Sequence, residues 1–362
     1  MKSSKPFITI IILVGLVVLI KLLALNPDWV ERFYTYGIYP AISKILRALF
    51  GWLPFSVGDL FYFAVALYLI IRIIRFIRFR RRKEPGTYQV RSLFLKFITY
   101  LLAVYVWFNL AWGLNYDRRG IAGQLGLHVQ PYTTTDLIQL TQQLQNRLNA
   151  SAYGIDTLER VKLEKNAVLF EQGTLAYRQV FNTYPFLRYV NQSIKPSMFS
   201  HIGQYFGFTG YYNPFSGEAQ LKTTVPVFLK PFIVTHEMAH QLGYAKENEA
   251  NFVGYLACRR DTNLNFQYSV YLDLTLYALS ELKERDSAAV KILKQHWNIR
   301  VIRDYKSYID YLNKSENPIE PWIMKFYSGF LKMNNQPGGT HTYNEVIATL
   351  IAYMKKFGTA AI

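Results

Sequence analysis

Cysteine is almost missing from this chain: Cys258 is the only one in 362 residues. No intrachain disulfide can form, and no metal site can be built on a set of thiolates. Acidic residues are scarce too, with Asp+Glu 24 against Lys+Arg 41 and a formal charge of +17. Such a balance suits nucleic acid, a membrane surface or acidic partners. A dense part of the charge (Arg72, Arg75, Arg78, Arg80, Arg81, Arg82, Lys83 and Arg91) lies directly beside an apolar segment, and no nucleic-acid motif accompanies it. That placement marks a membrane flank and speaks against a nucleic-acid partner. Internal repeats and low-complexity blocks are absent. Only 18% of residues are charged against 51% hydrophobic, which is apolar for a purely soluble protein of this size. Most of the apolar excess falls in the first third.

Three runs there are long enough to cross a bilayer, which takes roughly 20 residues: Phe7 to Leu25, Val57 to Phe76 and Leu93 to Trp112. A cleaved signal peptide would have a shorter apolar core, roughly 7–15 residues, and a small-x-small cleavage site, and none precedes Asn26-Pro27. Lys21 lies near the far end of the first run and can snorkel. Between the second and third runs lies RFRRRKEPGTYQVRS, residues 78–92. The positive-inside rule places this basic loop in the cytoplasm, and Lys2 and Lys5 place the N-terminus there. Three crossings then deliver everything after Trp112 to the other side. Asn26 to Ser56 becomes an external loop whose Trp29, Phe33, Tyr34 and Trp52 suit the interface, with Ile42 to Phe50 lying along the membrane. The division expected is an anchor over residues 1–114 and an extracytoplasmic domain over 115–362.

In the second part, Thr135-Asp136 caps a helix with Leu137, Leu140, Leu144 and Leu148 on one face. Leu158 to Phe181 reads as another helix. GFTGYYNPFSGEAQLKTTVP, rich in turn residues, leads into a strand from Glu218 to Val225. Helices follow at about 231–243, 247–260, 267–285, 287–314, 319–334 and 342–357.

Residues 231–258 (PFIVTHEMAHQLGYAKENEANFVGYLAC) carry the chemistry. His236 and His240, four apart on a helix, face the same way and can share one Zn²⁺ through their imidazoles. Glu237 reaches a zinc-bound water instead of the metal, and can accept its proton and pass it to a leaving amine. Pro231 suits the helix start and Gly243 its stop. A catalytic zinc needs a third protein ligand. Position 246 is Lys, where a metzincin would place its third His, so Glu247 and Glu249 are the acidic alternatives.

The pattern resembles the glutamate-ligand zincins, the gluzincins, in which the third ligand opens a Glu-x-x-x-Asp or Glu-x-x-Ala-Asp/Asn segment. Glu247-Asn248-Glu249-Ala250-Asn251 fits that register. The resemblance implies Glu247 as ligand, with Glu249 as fallback, and Asn251 as the residue that orients a ligand histidine. It also implies a zincin-like domain, mainly α with a small β element, behind the three transmembrane helices. In zincins a strand beside the active helix pairs with substrate, a role that falls here to Glu218, Ala219, Gln220 and Leu221. The oxyanion donor is sought in Tyr343 or His341. His128, His201 and His296 have no partner spacing and read as structural; Cys258 reads as packing. The wider chain, through WGLNYDR, GYYNPFSGEAQ, HEMAHQLGYAKENEANF and GGTHTYNEV, resembles an uncharacterised bacterial family, domain of unknown function 3810. That resemblance implies a multi-pass inner-membrane protein with a periplasmic C-terminal domain.

The expected function is hydrolysis of a peptide or protein substrate by zinc-activated water. The rivals are a non-catalytic receptor or scaffold with a structural or sensory zinc, and intramembrane proteolysis, which Lys222, Lys230, Lys246 and Glu249 around the motif disfavour. The oligomeric state is not legible in the sequence.

Overall fold

Apolar length decides the first elements. In a computed structural model that describes residues 5–82, 90–339 and 345–362, the first run forms α1 (Lys5–Ala24). A short α2 (Pro27–Trp29), a π-helical stretch (Val30–Ile38) and α3 (Tyr39–Phe50) follow. The other two runs form α4 (Val57–Arg82) and α5 (Val90–Ala111). Three stretches, Phe7–Ala24, Val57–Arg78 and Phe94–Ala111, are long and apolar enough to cross a membrane. They match the expected runs to within a few residues.

The segment between the first two runs is no loose external loop. One face of α3 carries Tyr39, Ser43 and Arg47, all buried against the rest of the protein, while Ile45 and Leu49 point outward. Tyr34, expected at an interface, is buried, and its hydroxyl donates to the Leu110 carbonyl at 3.0 Å. A phenol with an acceptor available inside the fold packs there, which periodicity alone does not reveal.

Beyond Trp112 the chain is helical, with α6 (Gly120–Gln124), α7 (Thr134–Gly154), α8 (Thr157–Lys162) and α9 (Asn166–Phe181). The cap of α7 is Thr133, two residues before the expected one. Its hydroxyl accepts from the Asp136 amide at 3.1 Å while the Asp136 carboxylate accepts from the Thr133 amide at 3.0 Å. This reciprocal pair fixes the start. Leu137, Leu140, Leu144 and Leu148 are fully buried, and burying each contributes about 1.5–3 kcal/mol. The single helix expected over 158–181 is broken after Lys162, where Leu163 turns into the core.

Three short strands follow: β1 (Ile194–Pro196), β2 (Gly210–Asn213) and β3 (Glu218–Leu221). The sheet order is β1-β3-β2, with β3 parallel to β1 and antiparallel to β2. Then come α10 (Lys230–Gln241), α11 (Glu247–Cys258), α12 (Leu264–Arg285), α13 (Ser287–Gln295), α14 (Ile299–Ser315), α15 (Glu320–Met333) and α16 (Glu345–Phe357). The helix expected over 287–314 is split at His296–Asn298, because Trp297 buries and Asn298 caps α14. Helix α10 runs through the middle of this part, between the sheet on one side and α9, α11 and α12 on the others. The main core gathers side chains from α7, α9, α10, α11, α12 and α16. A second cluster, with Ile20, Tyr34, Tyr39, Val106, Trp112 and Tyr116, joins the membrane helices to that core.

Candidate metal centre

Helix α10 has Pro231 in its first turn, where a missing N–H does no harm. It ends at Gly243, whose φ of +84° only glycine adopts freely. There is no room for a side chain either, since a Cβ would sit 3.0 Å from both Asn115 Oδ1 and the Tyr39 ring. The turn brings the Tyr244 carbonyl under His240, which donates to it from Nδ1 at 2.7 Å. A carbonyl can only accept, so in the neutral imidazole this bond fixes the proton on Nδ1 and the lone pair on Nε2.

His236, His240 and Glu247 form a buried group whose ligand atoms all lie within 4.8 Å of one another. Glu247 Oε2 lies 3.2 Å from His236 Nε2 and 3.5 Å from His240 Nε2. Two donors on a tetrahedral zinc with bonds near 2.1 Å would be about 3.4 Å apart. The residues fit a small divalent ion. The other Glu247 oxygen accepts from the Tyr327 hydroxyl at 2.7 Å, and the Glu247 amide donates to Gln336 Oε1 at 3.0 Å. Burial opposes a charged Glu247, yet the two imidazoles hold it well below the usual carboxylate range. Burial likewise opposes a charged His240, but the Glu247 carboxylate raises its pKa to about 9.

Glu237 lies beside this group, not in it. Gly210 of β2 gives it room, for a Cβ there would stand 2.6 Å from Glu237 Oε1. Desolvation raises the Glu237 pKa to about 7, against the opposing pull of the two histidines. Its Oε2 is buried and finds no donor among the described residues.

Glu249, the fallback ligand, is not part of the group. It turns to Lys246, whose ammonium lies 3.9 Å away, and burial raises its pKa despite Lys246 and Arg118. Asn251 is buried, but it makes no hydrogen bond to either histidine, and its Nδ2 has no partner among the described residues. The turn at Gly243 has already satisfied His240. Asp273 of α12 is a further acid that faces this region, pushed up to about 7 by desolvation with His236 pulling the other way. An acid isolated in the apolar stretch SVYLDLTLYAL was the signal for it. Tyr327 gave no such signal, being 80 residues from Glu247 with no local pattern.

The strand expectation needs correcting. Glu218, Ala219, Gln220 and Leu221 form the central strand, so both backbone edges are occupied. Glu218 instead accepts from the Val57 and Gly58 amides at 3.1 and 2.7 Å and caps α4. The edge strand beside Glu237 is β2. Lys222 N–H donates to Thr209 O at 2.9 Å. Antiparallel alternation then turns the N–H and C=O groups of Gly210 and Tyr212 away from β3. His341 and Tyr343 lie outside the described residues. His128, His201 and His296 are exposed and stand outside the metal group. Cys258 is fully buried, its sulfur 3.0 Å from Thr235 Oγ1.

Fold and site together define a mainly helical protein with three candidate membrane spans and a buried two-histidine, one-glutamate group that could hold a metal ion. The chain belongs to the family described as Protein of unknown function (DUF3810), which matches residues 34–351. No curated protein and no solved structure matches it significantly.

Proposed function

We propose that the protein is a zinc-dependent metallopeptidase of a bacterial inner membrane, with its site on the side away from the cytoplasm. The observation that carries this reading is a buried carboxylate, Glu237, set beside a three-donor group and outside it. Nitrogen and oxygen donors in that number suit zinc and leave a position for substrate. Zinc held there would supply Lewis acidity toward water and a carbonyl oxygen. Glu237, poised near neutrality, accepts the proton of the attacking water and returns it to the leaving amine. The outward amides and carbonyls of Gly210 and Tyr212 pair with an extended substrate backbone and present it next to Glu237. A structural metal has no use for Glu237. Helix α10 has 12 residues, too few to span a bilayer, which argues against intramembrane cleavage.

The test is turnover of a peptide library by the full-length chain in nanodiscs. Cleavage is expected to disappear in Glu237→Gln while zinc stays bound. Wild-type turnover in that variant overturns the reading. A wild type that never cleaves, yet unfolds when zinc is removed, supports a receptor or scaffold.

A further inference from the structure

Helix α15 carries an apolar face that nothing among the described residues covers. Trp322, Phe326 and Met333 are 74–80% exposed, and Ile319 half so. Residues 322, 326, 330 and 333 share one face of a helix. On that face Phe330 packs on Phe108 of α5, ring centroids 6.2 Å apart, and Phe108 lies inside the third apolar run. The exposed face therefore continues a contact already made with a membrane span. Just past α15, Asn335 bonds Asp117, close after the end of α5.

The other end of α15 leads to the second span. Asn317 Nδ2 donates to Gln204 O at 3.0 Å, and Gly207 lies against Glu320 and Met324. The loop thus joined exposes Met198, Ile202, Tyr205 and Phe206. It is pinned to the first turn of α4, since the Met198 amide donates to Asp59 Oδ2 at 2.8 Å. A series of contacts thus links the start of α4, residues 198–206, α15 and the end of α5, and exposed apolar side chains recur along it. Exposed apolar side chains gathered beside membrane spans mark an interaction surface.

We propose that α15 and the loop 198–206 lie in the interface of the same membrane that the spans cross, with Trp322 and Phe326 among lipid. Aromatics at headgroup level and lysines flanking an apolar helix face suit that plane, and Lys325 and Lys332 are exposed on α15. This inference does not depend on the metal reading. It does set the site at the membrane surface, because Tyr327 on the inner side of α15 holds Glu247.

Spin labels test it in the full chain in nanodiscs. Cys258 is fully buried, so it can stay while Trp322→Cys, Phe326→Cys and Ile202→Cys are labelled one at a time. Phe63→Cys in the second span gives the lipid reference, and Glu159→Cys, on an exposed ion pair, the aqueous one. The expected result is oxygen accessibility above that of a water-soluble nickel chelate at 322, 326 and 202, shifted toward the Phe63 value. Labels as open to the chelate as at 159 overturn the proposal. Dipolar broadening between labels of two copies also overturns it, by assigning the face to a dimer.

Discussion

The two halves of α10 are held by different parts of the chain. Its N-terminal half rests on the main core: Phe232 and Val234 are buried there, and Ser269 of α12 accepts from the Phe232 amide at 3.1 Å. Its C-terminal half, which carries both histidines, is held by residues that precede most of the domain. Tyr39 and Ser43 donate to the Gln241 carbonyl at 2.9 and 3.2 Å, and Trp112 Nε1 donates to His240 O at 3.1 Å. Arg118, paired with Glu31, donates to Gly243 O at 3.1 Å. These carbonyls lie at and just past the helix end, where Gln241 O is one of the orphans that every helix end leaves. Here the membrane-side segment satisfies them, so the metal site and the anchor form one structural unit.

The largest expected effect follows from cutting that unit. Fragment 115–362 loses the Trp112 donor and both the Tyr39 and Ser43 donors, which strands the Gln241 carbonyl at a cost of about 1–3 kcal/mol. It should aggregate, or fold without retaining metal. A monomeric fragment that binds about one zinc would break the comparison between the two halves. Next comes the ligand set. Glu247→Ala should lose most bound zinc in the full chain, while Glu249→Ala keeps it, with its damage confined to stability. The reverse pattern would move the site. Tyr327→Phe should weaken zinc affinity by about 10–100-fold, the usual effect of removing a partner that orients a ligand. Competition with a chelator reads this, and an unchanged affinity would leave Tyr327 as packing only.

The smallest effect lies on the core side. Burial pushes Asp261 up to about 6, above the ordinary value near 3.9. A raised acid binds its proton more tightly folded than unfolded, so folding stability falls as pH rises from about 4 to 6 and stays lower above. Asp261→Asn removes that loss, and its stability relative to wild type should climb over this range, read as a rising difference in melting temperature. Zinc content should not follow. If it did, the core side would not be insulated from the site.

The parts of this arrangement legible in the sequence rest on local periodicity and composition. The apolar runs, the leucine face of α7 and the histidine pair on α10 needed only neighbours within two turns. Glu247 came from a family register, which the geometry at the imidazoles supports. Tertiary burial, which no local pattern encodes, decided the breaks at Leu163 and Trp297, whereas the cap at Thr133 rests on a local pair with Asp136 that the neighbouring Thr135 obscured. The central place of β3 depends on β1, which lies 24 residues upstream in parallel register, Ile194 facing Ala219. The contacts that cross residue 114 were hidden for the same reason. Tyr39, Ser43 and Trp112 read as membrane-side residues, and only the folded chain carries them to α10.

The most direct test is zinc per chain in the full-length protein, purified in lipid, for wild type, Glu237→Gln and His240→Ala. The predicted result is about one ion in wild type and in Glu237→Gln, and little in His240→Ala, as a site of two histidines and one glutamate requires. A well-folded wild type without zinc, or a His240→Ala variant that retains it, would contradict the account.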